Sequence, residues 1–275
     1  MAIASVRPAA VAGSFYPDDP VVLHAQIDRM LAAVLPLEST PLPKALIVPH
    51  AGYIYSGPVA AAAYAAAARL RERVRRVVLL GPAHRAPVAG FALPAAQLFA
   101  TPLGEIPLSR NDWVALQGRP DVVVDDGPHH FEHSLEVQLP FLQTILGAFE
   151  LVPLLVGEAS PEQVEEVLAA LWGGPETLIV ISSDLSHYLP YDQARHCDRA
   201  TVEHIVRLRA QVDHQQACGA TPVNGLLRAA VARGLEPHLL DLRNSGDTAG
   251  DRSRVVGYAS IAFCETSRHA HAARH

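Results

Sequence analysis

The chain has 275 residues, of which 49% are apolar and 18% are charged, and its formal net charge is −6. This composition supports a large buried core and excludes a chain that is disordered throughout. The negative charge, without any run of lysine and arginine, argues against a general nucleic-acid binder. No apolar run approaches the ~20 residues of a membrane-spanning helix. We therefore expect a folded protein that binds neither nucleic acid nor a membrane.

The cysteines indicate a reducing compartment. Cys197, Cys218 and Cys264 form neither a CxxC pair nor an even disulfide framework, which fits reduced thiols in the cytosol. The N-terminus also lacks a charged region followed by an apolar signal core, so we predict a cytoplasmic location. Nothing near Cys218 in sequence lowers the pKa of its thiol, which favours a buried free cysteine over a reactive one.

Short apolar strands alternate with helical patterns along the chain. An extended segment over residues 6–17 precedes them. Predicted strands cover residues 46–50, 74–80, 151–156, 177–182, 238–242 and 254–263. Predicted helices cover residues 20–35, 59–71, 132–146, 161–172, 198–208 and 221–233. This alternation predicts βαβ units with parallel strands, and hence an α/β fold. No linker divides the chain, so we predict one domain over residues 1–265 and a disordered tail over 266–275.

Several predicted strands end on ionisable residues. His50 and His84 end two consecutive strands, and Asp184 and His187 follow a third; a later Asn-Ser-Gly-Asp loop contributes Asp247. In α/β sheets, ligands bind beyond the carboxyl ends of the strands. Two imidazoles and one carboxylate suit Fe(II) with open positions, and an open zinc site would use similar ligands. A nearby histidine such as His187 can act as a general acid or base.

Structural alternatives exist for each of these residues. A single histidine at a strand end is more commonly a hydrogen-bonded structural residue, and only its repetition in two consecutive βα units favours ligation. Asp247 has the weakest pattern, because Asn-Ser-Gly-Asp is also an ordinary turn. At the predicted start of the 132–146 helix, Glu132 can interact with the helix dipole. His133 can line the pocket, and it shares a helical face with Glu136. No GxGxxG or Walker loop is present, which excludes these nucleotide-binding motifs.

Eight motifs, in order, resemble the Memo family, whose prokaryotic members are called AmmeMemoRadiSam system protein B. They are RPAAVAGSFYP at 7–17, VPHAGYIYSGPVAAAAY at 48–64, GPAHRAPVAGFALP at 81–94, EHSLEVQLPFLQ at 132–143, ISSDLSHY at 181–188, CGATPV at 218–223, NSGDTAGD at 244–251 and VVGYASIAF at 255–263. Together they cover nearly the whole chain, and several motifs in a fixed order are far more specific than any single one.

The resemblance implies a fold similar to class III extradiol dioxygenases, non-haem iron enzymes that open catechol rings. This is a single three-layer α/β domain with a mostly parallel central sheet and helices on both faces. It also implies a metal pocket built on His50 and His84. In the vertebrate member the third ligand is a cysteine from the loop that matches NSGD, where this sequence has Asp247. An oxygen ligand favours iron or manganese over copper(I), so we expect Fe(II), with copper or zinc as alternatives.

The resemblance also assigns roles around the metal. His187 falls where the dioxygenases keep a catalytic base, Asp184 would orient it, and His133 would hydrogen-bond the substrate or activated oxygen. The expected function is a metal-dependent oxidoreductase with an unknown small-molecule or peptide substrate.

One alternative is a non-catalytic metal- or peptide-binding adaptor, since the vertebrate relative is linked to phosphopeptide recognition, although the sequence shows no arginine cluster for phosphate at the pocket. Another is a component of a modification system with radical SAM and AMMECR-type partner proteins.

Overall fold

The computed structural model describes residues 4–35, 41–116 and 118–265. The helices are α1 (Pro20–Ala32), α2 (Tyr53–Ala68), α3 (Leu139–Leu146), α4 (Pro161–Leu171), α5 (Tyr191–Val206), α6 (Ala220–Arg233) and α7 (Ser245–Thr248). The strands are β1 (Val6–Arg7), β2 (Pro43–Val48), β3 (Arg76–Pro82), β4 (Phe91–Leu93), β5 (Leu98–Thr101), β6 (Gly104–Pro107), β7 (Val122–Val124), β8 (Glu150–Val156), β9 (Thr177–Ser182), β10 (His187–Leu189), β11 (Leu235–Asn244) and β12 (Val255–Glu265). None of these described helices is long and apolar enough to cross a membrane. The tail predicted over residues 266–275 lies outside the described residues.

A large mixed sheet forms the centre of the described chain. Its strand order is β10-β12-β2-β9-β3-β8-β4-β7, and β11 also pairs with β12. The four central strands β2, β9, β3 and β8 are parallel, and antiparallel partners continue the sheet on both sides. Strands β2 and β9 are buried along their whole length, as continuous apolar strands covered on both faces should be. The predicted α/β class is therefore confirmed.

The crossover helices explain where the strands end. Helix α2 leads from β2 to β3 past β9, whereas α4 leads from β8 to β9 past β3 in the opposite direction. Because such crossovers are right-handed, the two helices lie on opposite faces of the sheet. Helix α2 packs with α1 and α3, and α4 packs with α6. A sheet whose winding reverses opens a crevice beyond the carboxyl ends of its central strands, and β2, β3 and β9 all end there.

The predicted helix over residues 132–146 starts later than expected. A short 3₁₀ turn covers Glu136–Gln138, and α3 begins only at Leu139, with a proline in its first turn. Upstream, the carboxylate of Glu132 accepts the backbone N–H groups of His133 and Ser134 at 2.9 and 3.0 Å. Such local side-chain bonds compete with helical ones. Glu132 and His133 therefore lie on a loop, and the prediction that the helix begins there is wrong.

The N-terminal segment contacts this same loop through hydrogen bonds and a buried ion pair. Strand β1 joins a small sheet with β5 and β6 and carries the buried Arg7. Its guanidinium donates to the carbonyl of His129 at 3.0 and 2.9 Å and to that of Glu132 at 2.7 Å. It also pairs with the buried carboxylate of Glu136, which accepts the hydroxyl of Tyr16 at 2.6 Å. The extended N-terminus thus holds the loop that carries Glu132 in place.

Candidate metal centre

Three imidazoles converge at the carboxyl edge of the sheet. His50 follows β2, His84 follows β3, and His133 comes from the loop before α3. Their ring centroids are 5.3 Å apart for His50 and His84, 5.5 Å for His50 and His133, and 4.9 Å for His84 and His133. One ring nitrogen from each lies within 4.8 Å of the other two. Nitrogens grouped this closely can bind one first-row metal ion.

The tautomer of His50 is fixed by its hydrogen bonds. Its Nδ1 lies 2.9 Å from the hydroxyl of Ser182. That hydroxyl donates to the carbonyl of Ser134 at 2.6 Å and accepts the side-chain amide of Gln138 at 2.7 Å. Because its one proton is already used, Ser182 must accept a proton from Nδ1 of His50. The Nε2 atom of His50 therefore keeps the lone pair that a metal requires.

Glu132 fixes the second imidazole in the same way. One carboxylate oxygen lies 3.0 Å from Nδ1 of His84, and the other accepts the backbone N–H of His84 at 2.5 Å. This carboxylate–histidine pairing leaves Nε2 of His84 free, as in bound metal sites. Burial alone would raise the pKa of Glu132, but the close imidazoles of His133 and His84 and the hydrogen bond from the backbone of Ser134 hold that pKa far below its usual value. Glu132 is therefore an anion.

The third imidazole provides a test of whether a metal fits. Nδ1 of His133 lies 3.2 Å from a carboxylate oxygen of Glu132, but the contact lacks hydrogen-bond geometry. This buried nitrogen has no hydrogen-bond partner among the described residues. Burial, together with the neighbouring imidazoles of His84 and His133, lowers the pKa of His50 well below its usual value. Two imidazoles oriented by hydrogen bonds at Nδ1 and a third with an unpaired buried nitrogen fit a divalent first-row metal.

The predicted third ligand, Asp247, takes other partners. Its loop forms the start of α7, where Asn244 and Asp247 make a capping box: Asp247 accepts the backbone N–H of Asn244 at 3.1 Å. Its other oxygen accepts the hydroxyl of Tyr191. The group that the structure brings together therefore has His133 as its third member where Asp247 was expected. Asn-x-x-Asp before a helix is a capping pattern, and this signal was available in the sequence. As a ligand, Asp247 stays a prediction.

Asp184 and His187 differ in exposure, since Asp184 is buried and His187 lies at the surface. Asp184 is buried, and its carboxylate accepts the backbone N–H of His50 at 2.7 Å, so it fixes the loop that carries the first imidazole. Burial raises its pKa above the usual value. His187 is exposed on β10. No hydrogen bond joins it to Asp184 in the described chain, so Asp184 orients His50 here. The catalytic role of His187 stays a prediction.

A cleft opens beside the three imidazoles. It has a volume of about 640 Å³ and is lined by His84, His187, Tyr188, Asp213 and Cys218, among others. The size is that of a small-molecule site. Sequence reasoning missed the position of Cys218, whose sulfur lies 3.3 Å from Nε2 of His50 across 168 residues of chain. Burial raises the pKa of this thiol to about 12, so a protonated thiol lies against the same Nε2 lone pair that a metal would use.

Comparison with known proteins places this chain in a family. A family model described as Memo-like protein matches residues 7–262. The chain belongs to the Memo family. Two relatives called MEMO1 family protein, from Sulfolobus acidocaldarius and Aquifex aeolicus, are 35% and 36% identical, over 94% of this chain and 99% of each relative. The solved structure of the uncharacterized protein JW3007 from Escherichia coli K12 matches with a TM-score of 0.51 and 16% identity, over 79% of this chain and 98% of that one. At that identity the match supports the α/β fold alone.

His129 makes the stability of this Memo-family fold depend on pH. It is buried and donates from Nε2 to the carbonyl of Ala92 at 3.0 Å, and burial lowers its pKa from 6.5 to about 4. Between these values the unfolded chain binds a proton that the folded chain does not. The free energy of unfolding therefore falls as pH drops from 6.5 towards 4, by up to about 1.4 kcal/mol per pH unit from this group.

Replacing His129 with glutamine should remove this contribution, because glutamine can donate to Ala92 without titrating. Urea denaturation at several pH values between 4 and 7 measures the slope. The control is His196→Gln, at an exposed position on α5, and its slope should match that of the parent. An equal slope in the parent and in His129→Gln would contradict the assignment.

Proposed function

We propose that this Memo-family protein is a non-haem metal-dependent oxidoreductase, dioxygenase-like, that acts on a small molecule bound in the cleft. One observation carries the proposal. Hydrogen bonds hold His50 and His84 with Nε2 unprotonated, facing a third imidazole that has an unpaired buried nitrogen. We propose Fe(II) as the metal, with copper and zinc as the alternatives that metal analysis would distinguish. A cytoplasmic location is also proposed and fits the free cysteines.

The residues around this centre have separate roles. Bound Fe(II) would supply Lewis acidity and sites for dioxygen and a substrate oxygen. Glu132 and Ser182 orient the imidazoles of His84 and His50 from outside, which sharpens the geometry around the ion. His187, exposed at the cleft, would remove a proton from a substrate hydroxyl or return one to it. Asp184 keeps the His50 loop at the edge of the sheet.

The test is oxygen consumption by iron-loaded protein with a broad panel of catechols. Replacing His187 with alanine should lower the rate about a hundredfold, the usual contribution of a positioned acid or base, with iron content unchanged. His196→Ala, on the exposed side of α5, serves as the control and should keep the rate. No oxygen uptake across the panel, or an undiminished rate in His187→Ala, would reject the proposal.

The alternative function, a phosphopeptide-binding adaptor, has less support than the oxidoreductase. No lysine or arginine is among the described residues that line the cleft, and phosphate recognition relies on such groups. Partnership with radical SAM and AMMECR-type proteins is a separate proposal. It rests on the family resemblance.

A further inference from the structure

The charge of the cleft constrains what it can bind. Among its lining residues in the described part of the chain, Asp213 is the one with a permanent charge, and the polar remainder consists of imidazoles, amides, thiols and a phenol. A low-dielectric wall strengthens the field of such a single charge. Asp213 therefore gives the cleft wall a local negative charge.

Asp213 is held in a fixed orientation with one oxygen available. Its Oδ1 accepts the backbone N–H groups of Gln215 and Gln216 at 2.8 and 2.9 Å, which is an Asx turn. Its backbone N–H donates to the side chain of Gln216 at 3.0 Å. Its Oδ2 has no partner among the described residues. This carboxylate is exposed and fixed in orientation, and its Oδ2 can accept hydrogen bonds from a cation with N–H donors.

Tyr188 gives the same cleft an aromatic wall. Tyr188 is 62% exposed. Its φ of 59° lies in the left-handed region, and such strained backbone conformations are common near functional sites. Arg254 covers one side of the ring at 5.0 Å from the centroid, and His187 meets it edge-on at 5.8 Å. Planar rings stack well against such a surface.

We propose that the substrate is a small planar aromatic molecule that carries an ammonium group, that Tyr188 contacts its ring, and that Asp213 selects its charge. Molecules with a carboxylate or phosphate in the same place are disfavoured. The inference rests on the proposed function in so far as the cleft serves as the substrate site. It goes further in naming the substrate class and a residue that determines specificity.

Three catechols that differ in tail charge test this selection. They are 2-(3,4-dihydroxyphenyl)ethylamine, 4-ethylcatechol and 3-(3,4-dihydroxyphenyl)propionate, and calorimetry on metal-loaded protein at pH 7.5 and low salt measures their affinities. The amine should bind tightest and about tenfold more tightly than the acid, since one tail is attracted and the other repelled. Asp213→Asn, which can still accept the two backbone N–H groups, should shrink that ratio to below about threefold. Asp192→Asn, at an exposed position on α5, should preserve it.

A second pair of probes separates this inference from the metal chemistry. Phenethylamine and 3-phenylpropionate have no metal-binding oxygens on the ring, and ligand-observed NMR measures their binding to the protein as purified. A preference for the amine that is lost in Asp213→Asn would support the inference even if no catechol consumed oxygen. Equal or tighter binding of the acids, an unchanged ratio in Asp213→Asn, or no binding of any probe would overturn it.

Discussion

Replacing His133 with alanine is expected to abolish stoichiometric metal binding, whereas replacing Asp247 should leave it intact. His133 supplies one of the three nitrogens that lie within 4.8 Å of one another, and the ion would be left with two protein ligands. The loss of affinity should exceed the ~10–100-fold that follows removal of a mere hydrogen-bonding partner of a ligand. Asp247 instead bonds Tyr191 and the backbone of Asn244, so its loss changes the start of α7.

Metal analysis of protein purified without oxygen measures this difference. His130→Ala is the matched control, because His130 is an exposed histidine in the same loop and lies outside the three-histidine group. Circular dichroism of each variant separates loss of metal from loss of fold. The opposite pattern, with metal kept in His133→Ala and lost in Asp247→Ala, would show that the late loop supplies the third ligand and that the ring cluster is structural.

Two of the three clustered histidines could be predicted from sequence for a definite reason. His50 and His84 each end a strand in a βαβ unit, so local pattern and the parallel topology suffice to place them at one edge. The same reasoning placed Asp184 there, although its hydrogen bond to the backbone of His50 needed coordinates. Periodicity and turn residues determine where the strands end, and the strand ends place these three residues at one edge of the sheet.

The third histidine could not be placed in the cluster by the same route. The apolar spacing after Glu132 is helical and predicts a helix that begins at that residue. The carboxylate of Glu132 takes other bonds there: it accepts the backbone N–H groups of His133 and Ser134 and, across 48 residues, that of His84. A contact at that separation leaves no trace in local periodicity. For Asp247 the structure shows a short-range arrangement instead, in which its carboxylate takes part in a capping box.

Replacing Arg7 with methionine is expected to lower the free energy of unfolding by about 3–5 kcal/mol, the usual cost of removing one partner of a buried ion pair. Arg7 is 5% exposed and Glu136 is 1% exposed, so the remaining carboxylate would be a buried charge without its counter-ion. Two carbonyls, those of His129 and Glu132, would also lose their donors. Urea denaturation measures the loss, and Arg29→Met, on the exposed side of α1, should stay close to the parent.

The double variant Arg7→Met/Glu136→Gln distinguishes an unpaired charge from lost packing. If the buried charge of Glu136 is the main cost, adding Glu136→Gln should restore part of the stability, so that the two effects are far from additive. Metal affinity should not follow that recovery, because the loop that presents Glu132 and His133 would still lack the guanidinium that fixes its carbonyls. Full recovery of metal affinity in the double variant would mean that the N-terminal segment covers the site without positioning it. A loss of unfolding free energy below about 1 kcal/mol in Arg7→Met would contradict the expected cost of the unpaired charge.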